Sequence, residues 1–423
     1  METKTTLRLD DLNDDVLSIV FDKCTIEDVL SLYYNIIGKS IFFRRSLDLL
    51  IVGHRNKDAI AFQRSIMDLS YFKRVKVFQN WCFGRYNEHV LFNQPQFNPS
   101  RIHLERELLY KSYKGQLRVY RRLKYNEEVL CRKPIKSFGN VHDSDITCLQ
   151  KDKSTDNICI GKQNGRIEII SLNDSDSDSI NEINVCSRSN PEQCVESVVF
   201  ADELLVTSTL QRTAVWQKKY ELDIAYLEPT NELGNGYKCI SLSPNKIHLG
   251  MGKYKDTIRR ALHLVDLETN TVDQMASQSS SIYDLHWKDD NVILTGHYDT
   301  TFRLFDTRSN RDEHMWQDPY DLAVYSISYD GNFGVLCGMQ CHFRVNLYDL
   351  RVPDKYIQLY FPTARIHGSR GSSSPAYQVM NDQSQLFITT DSNLRILDFN
   401  ADWAESKDYT NIFVHEMILT MNS

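Results

Sequence analysis

The chain has 423 residues, 41% of them hydrophobic, and a formal net charge of −7, enough apolar material for one large domain or two smaller ones. That acidic balance argues against general binding of DNA or RNA, whose affinity comes largely from neutralised phosphates. No apolar run could span a bilayer, and the ten scattered cysteines include no CxxC pair. A reduced protein of the cytoplasm or nucleus is therefore expected, with no metal or other cofactor and no membrane or nucleic-acid partner.

The first predicted element covers residues 12–24, LNDDVLSIVFDKC, where Leu12, Val16, Leu17, Val20, Phe21 and Cys24 recur at helical spacing. Asn13 suits the N-cap, Asp14 and Asp15 suit the positive end of the helix dipole, and Leu12 can staple onto Leu17. A second helix starts at Thr25, with Asp28 as its capping partner and VLSLYYNII behind it. Residues 1–55 are thus expected to form a small helical domain, followed by a helical linker over 56–80. A region this short has little core of its own and gains by resting on something else.

From residue 81 to the C-terminus the pattern changes. TGHYDTTFRLFDTR (295–308) places a polar turn at Asp299, then alternating residues that end in Phe305–Asp306. The same frame recurs in TTDSNLRILDFN (389–400), GKQNGRIEIISL (161–172), CHFRVNLYDLR (341–351), IRRALHLVDLETN (258–270), TSTLQRTAVWQ (207–217) and SYKGQLRVYR (112–121). The bulky residues that close the seven copies are Tyr120, Ile170, Trp216, Val265, Phe305, Tyr348 and Leu397. They stand about 40 to 50 residues apart, the period of a four-stranded propeller blade.

Upstream runs such as SIYDLHW (281–287) and AVYSISY (323–329) alternate at period two, as half-buried strands do. Serine-, glycine- and aspartate-rich segments at 173–182, 277–281 and 368–375 fall between copies and read as loops. A ring of blades must close, so part of VKVFQNWCFGRYNEHVLFN (75–93) is expected to supply the outer strand of the last blade. The basic stretch KSYKGQLRVYRRLKY (111–125) reads as a solvated face. The expected fold is mainly β: a seven-bladed propeller over 81–423 behind a small α-helical domain.

These repeats resemble the WD40 repeat. Asp299, Thr301, Phe305 and Asp306 form the fullest copy; Asp391, Leu397 and Asp398 form another, and His142 stands where that family has its histidine. The N-terminal stripe resembles the F-box at Leu12, Asp15, Val16, Leu17, Val20, Phe21, Asp28, Val29 and Leu32, with Asn13 in place of the proline. NIIGKSIFF (35–43) replaces the family's later Cys-Lys-x-Trp. RVKVFQNWCFGR (74–85) and SFGNVHDSDITCL (137–149) extend the likeness to the F-box/WD-repeat family.

The resemblance implies a non-catalytic substrate receptor of an SCF ubiquitin ligase. Its helices would dock on a Skp1-type adaptor and through it on a cullin, and its propeller would hold an unknown protein substrate. Leu12, Asp15, Val16, Leu17, Val20, Phe21, Cys24, Asp28 and Leu32 are the adaptor-facing set this implies; no substrate-binding residue is singled out.

Two other readings stay open. FDTR (305–308) and YDLR (348–351) resemble the WD-x-Arg element of propellers that dock on the DDB1 adaptor of Cullin-4 ligases, unless each arginine merely pairs with a neighbouring acid. The chain could also be a WD-repeat scaffold whose helices only seal the ring. An enzyme is not expected: LGMGKYKD (249–256) lacks the spacing and the Ser/Thr of a phosphate loop, and no HExxH or GxSxG occurs. Arg303 and Arg395 fall inside strands and read as structural rather than as substrate contacts.

Overall fold

A computed structural model describes residues 50–53, 64–66, 69–94, 96–123, 128–152, 154–172, 181–184, 193–202, 204–221, 224–362 and 374–400, with Val16 and Asp28. From Asn87 onward the described chain forms seven antiparallel sheets of four strands each. We letter the strands a to d from the inside of each blade outward. Blades 1 to 6 use consecutive strands of the chain, and their a strands begin at Ile102, Ile146, Ser197, Cys239, Ile282 and Val324. Blade 7 takes its a, b and c strands from Gln378–Asn381, Gln385–Thr389 and Leu394–Asp398.

The outer strand of blade 7 comes from the other end of the repeat region. Strand β1 (Asn87–Leu91) pairs antiparallel with the c strand of blade 7, Asn87 opposite Asp398 and Leu91 opposite Leu394. The ring is therefore closed by hydrogen bonds between distant parts of the chain, within the 75–93 segment where the sequence required such a strand. Closure removes the long pairing edge that an open row of sheets would expose.

The seven closing residues of the repeats all lie on c strands and all are buried. Their period-two alternation sends one face of each sheet to each neighbour. The consequence is a core divided into seven apolar clusters, each spanning two adjacent blades. Phe305, for example, packs in the cluster shared by blades 4 and 5, and Tyr348 in that shared by blades 5 and 6. Each such side chain contributes about 1.5–3 kcal/mol by leaving water, so stability is spread around the ring.

Helix α1 (Tyr71–Phe83) precedes β1. Ser70 caps its start through a hydrogen bond from Lys73 N–H, and Gly84 ends it in the left-handed region at φ 62°, its N–H donating to Asn80 O. Trp81 stacks on Phe399 at 3.6 Å and meets Tyr360 edge-on, so the helix seals the junction of blades 6 and 7.

One expectation needs correcting. The described part of the basic stretch, residues 111–123, spans the b–c hairpin of blade 1, and it is not uniformly solvated: Lys111 and Arg122 are each 2% exposed. Burial lowers the Lys111 amine to about 7, with Arg118 adding to the effect.

Candidate functional site

A propeller offers two faces. One, here called lower, carries the a–b and c–d turns; the other, upper, carries the b–c turns and the links from each d strand to the next a strand. Alternation of strand direction fixes this division, and the described side chains use the two faces differently.

The lower face receives the segment that leads out of the N-terminal region. In the a–b turn of blade 6, Asn332 Nδ2 donates to Leu50 O at 2.9 Å, and Gly334 N–H donates to Ile51 O at 2.8 Å. Asp330 in the same turn accepts from Gly53 N–H at 2.5 Å. The a–b turn of blade 7 supplies Gln383, whose Oε1 accepts from Ser65 Oγ and from Ile66 N–H. Arg64 donates to Arg106 O and Leu123 O in blade 1. Leu50, Ile51, Val52 and Ile66 are buried in the same cluster as Trp81. Trp81 Nε1 donates to Gln383 O, and Asn80 Nδ2 to Phe399 O. The strap is thus fixed by backbone-directed hydrogen bonds and apolar burial together.

The upper face is built around the mouth of the central channel, where the start of each a strand contributes one residue. Going round from blade 5 these are Tyr283, Tyr325, Tyr377, Arg101, Thr147, Glu196 and Lys238. Tyr283 and Tyr325 stack at 4.7 Å, and Tyr325 meets Tyr377 edge-on at 6.1 Å. Tyr254 and Tyr298, from the b–c turns of blades 4 and 5, lie 6.0 and 6.1 Å from Tyr283. Beyond Tyr377, Arg101 donates to Tyr377 O at 3.4 Å and to Thr147 O at 2.7 Å. Thr147 Oγ1 donates to Val195 O, and Lys238 is ion-paired with Glu196.

Five tyrosines therefore form an arc over blades 4 to 7. Tyr254 and Tyr298 are exposed, at 37% and 52%, and the other three are half-buried. Burial pushes the Tyr283 hydroxyl well above its ordinary range, helped by Tyr325, Tyr254 and Tyr298, so it stays a neutral donor. The spacing of the copies located the blades, but nothing in it singled out the residue at each a-strand start; that arc was missed.

Of the adaptor-facing residues read from the sequence, Val16 and Asp28 are described, and both are helical and exposed, Val16 at 41%. Leu12, Asp15, Leu17, Val20, Phe21, Cys24 and Leu32 lie outside the described residues. Arg303 and Arg395 are held inside the blades: Arg303 pairs with Asp299 and Asp312 at 2.5 and 2.9 Å, and Arg395 with Glu88 at 2.5 Å. Arg308 and Arg351, the arginines of FDTR and YDLR, pair with Asp306 and Asp349 two residues back, each at 2.6 Å. Among the described residues no group of three His, Cys, Asp or Glu could hold a metal ion, and no helix is long and apolar enough to cross a membrane.

Trp216 Nε1 donates to Thr207 Oγ1 at 3.1 Å in blade 3, and His297 contacts Thr295 Oγ1 at 2.7 Å in blade 5. The buried pair Arg344–Asp318, at 2.6 Å, joins the b–c turn of blade 6 to the link between blades 5 and 6.

The chain is similar to F-box/WD repeat-containing protein 4. It is 24% identical over 333 residues to that protein from Homo sapiens, covering 77% of this chain and 76% of the relative. Against the Mus musculus protein it is 23% identical over 337 residues, covering 77% of each. No family model matches. With the observed propeller, the likeness points to a WD-repeat protein of the non-catalytic, scaffold or adaptor kind.

Proposed function

We propose that this chain is the substrate-recognition subunit of an SCF ubiquitin ligase. Its N-terminal helices dock on a Skp1-type adaptor and thereby on a cullin, and the propeller holds a protein substrate. The chain itself carries out no chemistry. It raises the concentration of substrate lysines near a charged ubiquitin-conjugating enzyme, which is catalysis by proximity.

The observation that carries this reading is the buried strap. Residues 50–53 and 64–66 are hydrogen-bonded into the lower turns of blades 6, 7 and 1, while the tyrosine arc occupies the upper mouth. A receptor needs its adaptor-binding part tied to its substrate-binding part, because a loose tether lowers effective concentration. Leu12, Val16, Leu17, Val20 and Phe21 would form the ridge of a helix-in-groove contact.

The test is co-purification of the full chain with the Skp1-type adaptor. Phe21→Ala should weaken that complex by about 2 kcal/mol or more, as loss of a buried aromatic anchor does. Undiminished adaptor binding by the variant would overturn the assignment of the ridge. Recovery of DDB1 instead of the Skp1-type adaptor would favour the Cullin-4 reading, although Arg308 and Arg351 are already paired within their own blades. Recovery of neither adaptor would favour a scaffold.

A further inference from the structure

The upper mouth combines two features whose conjunction narrows what can bind there. The first is the tyrosine arc. From Tyr254 through Tyr283 and Tyr325 to Tyr377 the ring centroids advance in steps of 6.0, 4.7 and 6.1 Å. That path is matched by about five residues of extended chain, at roughly 3.4 Å each. Tyrosine gives a large, rigid contact surface with a polar tip, and such side chains dominate binding surfaces for extended segments.

The second feature is charge. At the Tyr377 end, blade 1 presents Arg101, Lys114 and Arg118; at the Tyr254 end, the b–c turn of blade 4 presents Lys255, Arg259 and Arg260. None of these six forms an ion pair with a described carboxylate. Arg101 is held by two backbone carbonyls, Arg118 lies over the Tyr113 ring at 4.2 Å, and Lys255 over Tyr254 at 5.1 Å. The acids of the same face are mostly committed: Glu196 to Lys238, Asp143 to Lys162, Asp256 to Lys253 and Asp299 to Arg303. Asp145 accepts from Asn98, and Asp391 stands beside Tyr377. A chain with net charge −7 thus turns surplus cations towards both ends of its aromatic arc.

We propose that the upper mouth binds an extended, acidic segment of a partner protein, with apolar or aromatic side chains on the tyrosines and Asp or Glu residues at both ends. The inference rests on the reading of the propeller as the substrate-holding part. Carboxylates fit better than a phosphate group. A phosphate dianion calls for converging guanidinium forks, whereas these cations are spread over two blades and Arg101 alone reaches the mouth. Complementary charge at the ends would speed encounter and fix direction, and the aromatic centre would hold the segment.

The test is selection of a displayed library of random nine-residue segments on the full chain, with counter-selection on Tyr325→Ala. Enriched segments should carry an apolar centre flanked by Asp or Glu. A synthetic peptide of the enriched sequence should bind at least about tenfold more weakly to Tyr325→Ala and to Arg101→Gln, to Tyr325→Phe nearly as the parent does, and more weakly as salt rises. Matching thermal melts of the variants would exclude unfolding as the cause. Enrichment without acidic bias, enrichment of basic segments, or no enrichment would overturn the proposal. So would a segment that binds only when phosphoserine replaces its acids. Because the adaptor is absent from these measurements, Phe21→Ala should leave peptide binding intact, and failure of the ligase reading would show separately as loss of adaptor co-purification.

Discussion

Arg122 and Asp382 form an ion pair with both side chains fully enclosed, and it crosses the seam where blade 1 meets blade 7. Arg122 also donates to Gln385 Oε1 at 2.8 Å and to Glu105 O at 2.7 Å, while Asp382 accepts from Ser384 N–H and Gln385 N–H. The guanidinium is thus a knot between the last blade and the first, holding together their facing turns.

Arg122→Met leaves the Asp382 carboxylate buried without its counter-charge. Breaking a buried pair from one side costs about 3–5 kcal/mol, and urea unfolding should show a loss of that order. Arg122→Met with Asp382→Asn should recover much of it, since asparagine keeps an acceptor for the turn N–H groups. A single variant as stable as the parent would show that the seam is held elsewhere.

Deletion of residues 75–93 removes most of α1 and all of β1, and with them the outer strand of blade 7. The c strand of blade 7 would then expose its pairing edge. The truncated chain should be insoluble; a soluble product that melts cooperatively would mean that the ring closes without β1.

Trp81→Ala empties the site between Phe399, Tyr360 and the strap. Large-to-small changes of this kind cost about 3–5 kcal/mol. The loss should appear as a lower unfolding midpoint together with faster proteolysis between residues 50 and 70, because Trp81 and Ile66 share Gln383 as a hydrogen-bonding partner. Proteolysis at the parent rate would separate the strap from the helix.

Asp330 gives the strap a pH dependence. Burial raises its carboxyl from 3.8 to about 8, against the opposing pull of the Asn332 and Gly53 N–H groups. The folded state therefore holds a proton that the unfolded chain releases above about pH 4. Its stabilising contribution is complete below that value and is lost as pH rises through about 8. Between pH 5 and 8.5 the parent should lose stability relative to Asp330→Asn, whose amide does not titrate. An unchanged difference between the two across this range would contradict the assignment.

Much of this architecture is legible in the amino-acid sequence. Seven copies ending in a bulky buried residue gave the blades, because alternation at period two reports directly which side chains face a neighbouring sheet. The need for an extra outer strand followed from the geometry of a ring, and β1 fell where it was sought. For Arg308 and Arg351 the sequence left two roles open, an adaptor contact or a local ion pair, and in the structure each pairs with the acid two residues upstream, Asp306 and Asp349.

What the sequence determined by itself was local and repetitive: the type of each strand, its buried face and the number of blades. Such properties depend on neighbours along the chain. Tertiary structure alone decided what distant residues do together. Arg122 finds Asp382 across 260 positions, the strap finds the turns of blades 6, 7 and 1, and tyrosines from four blades meet at one mouth. No spacing rule encodes these meetings, because a closed ring brings together residues that periodicity treats as equivalent but unrelated.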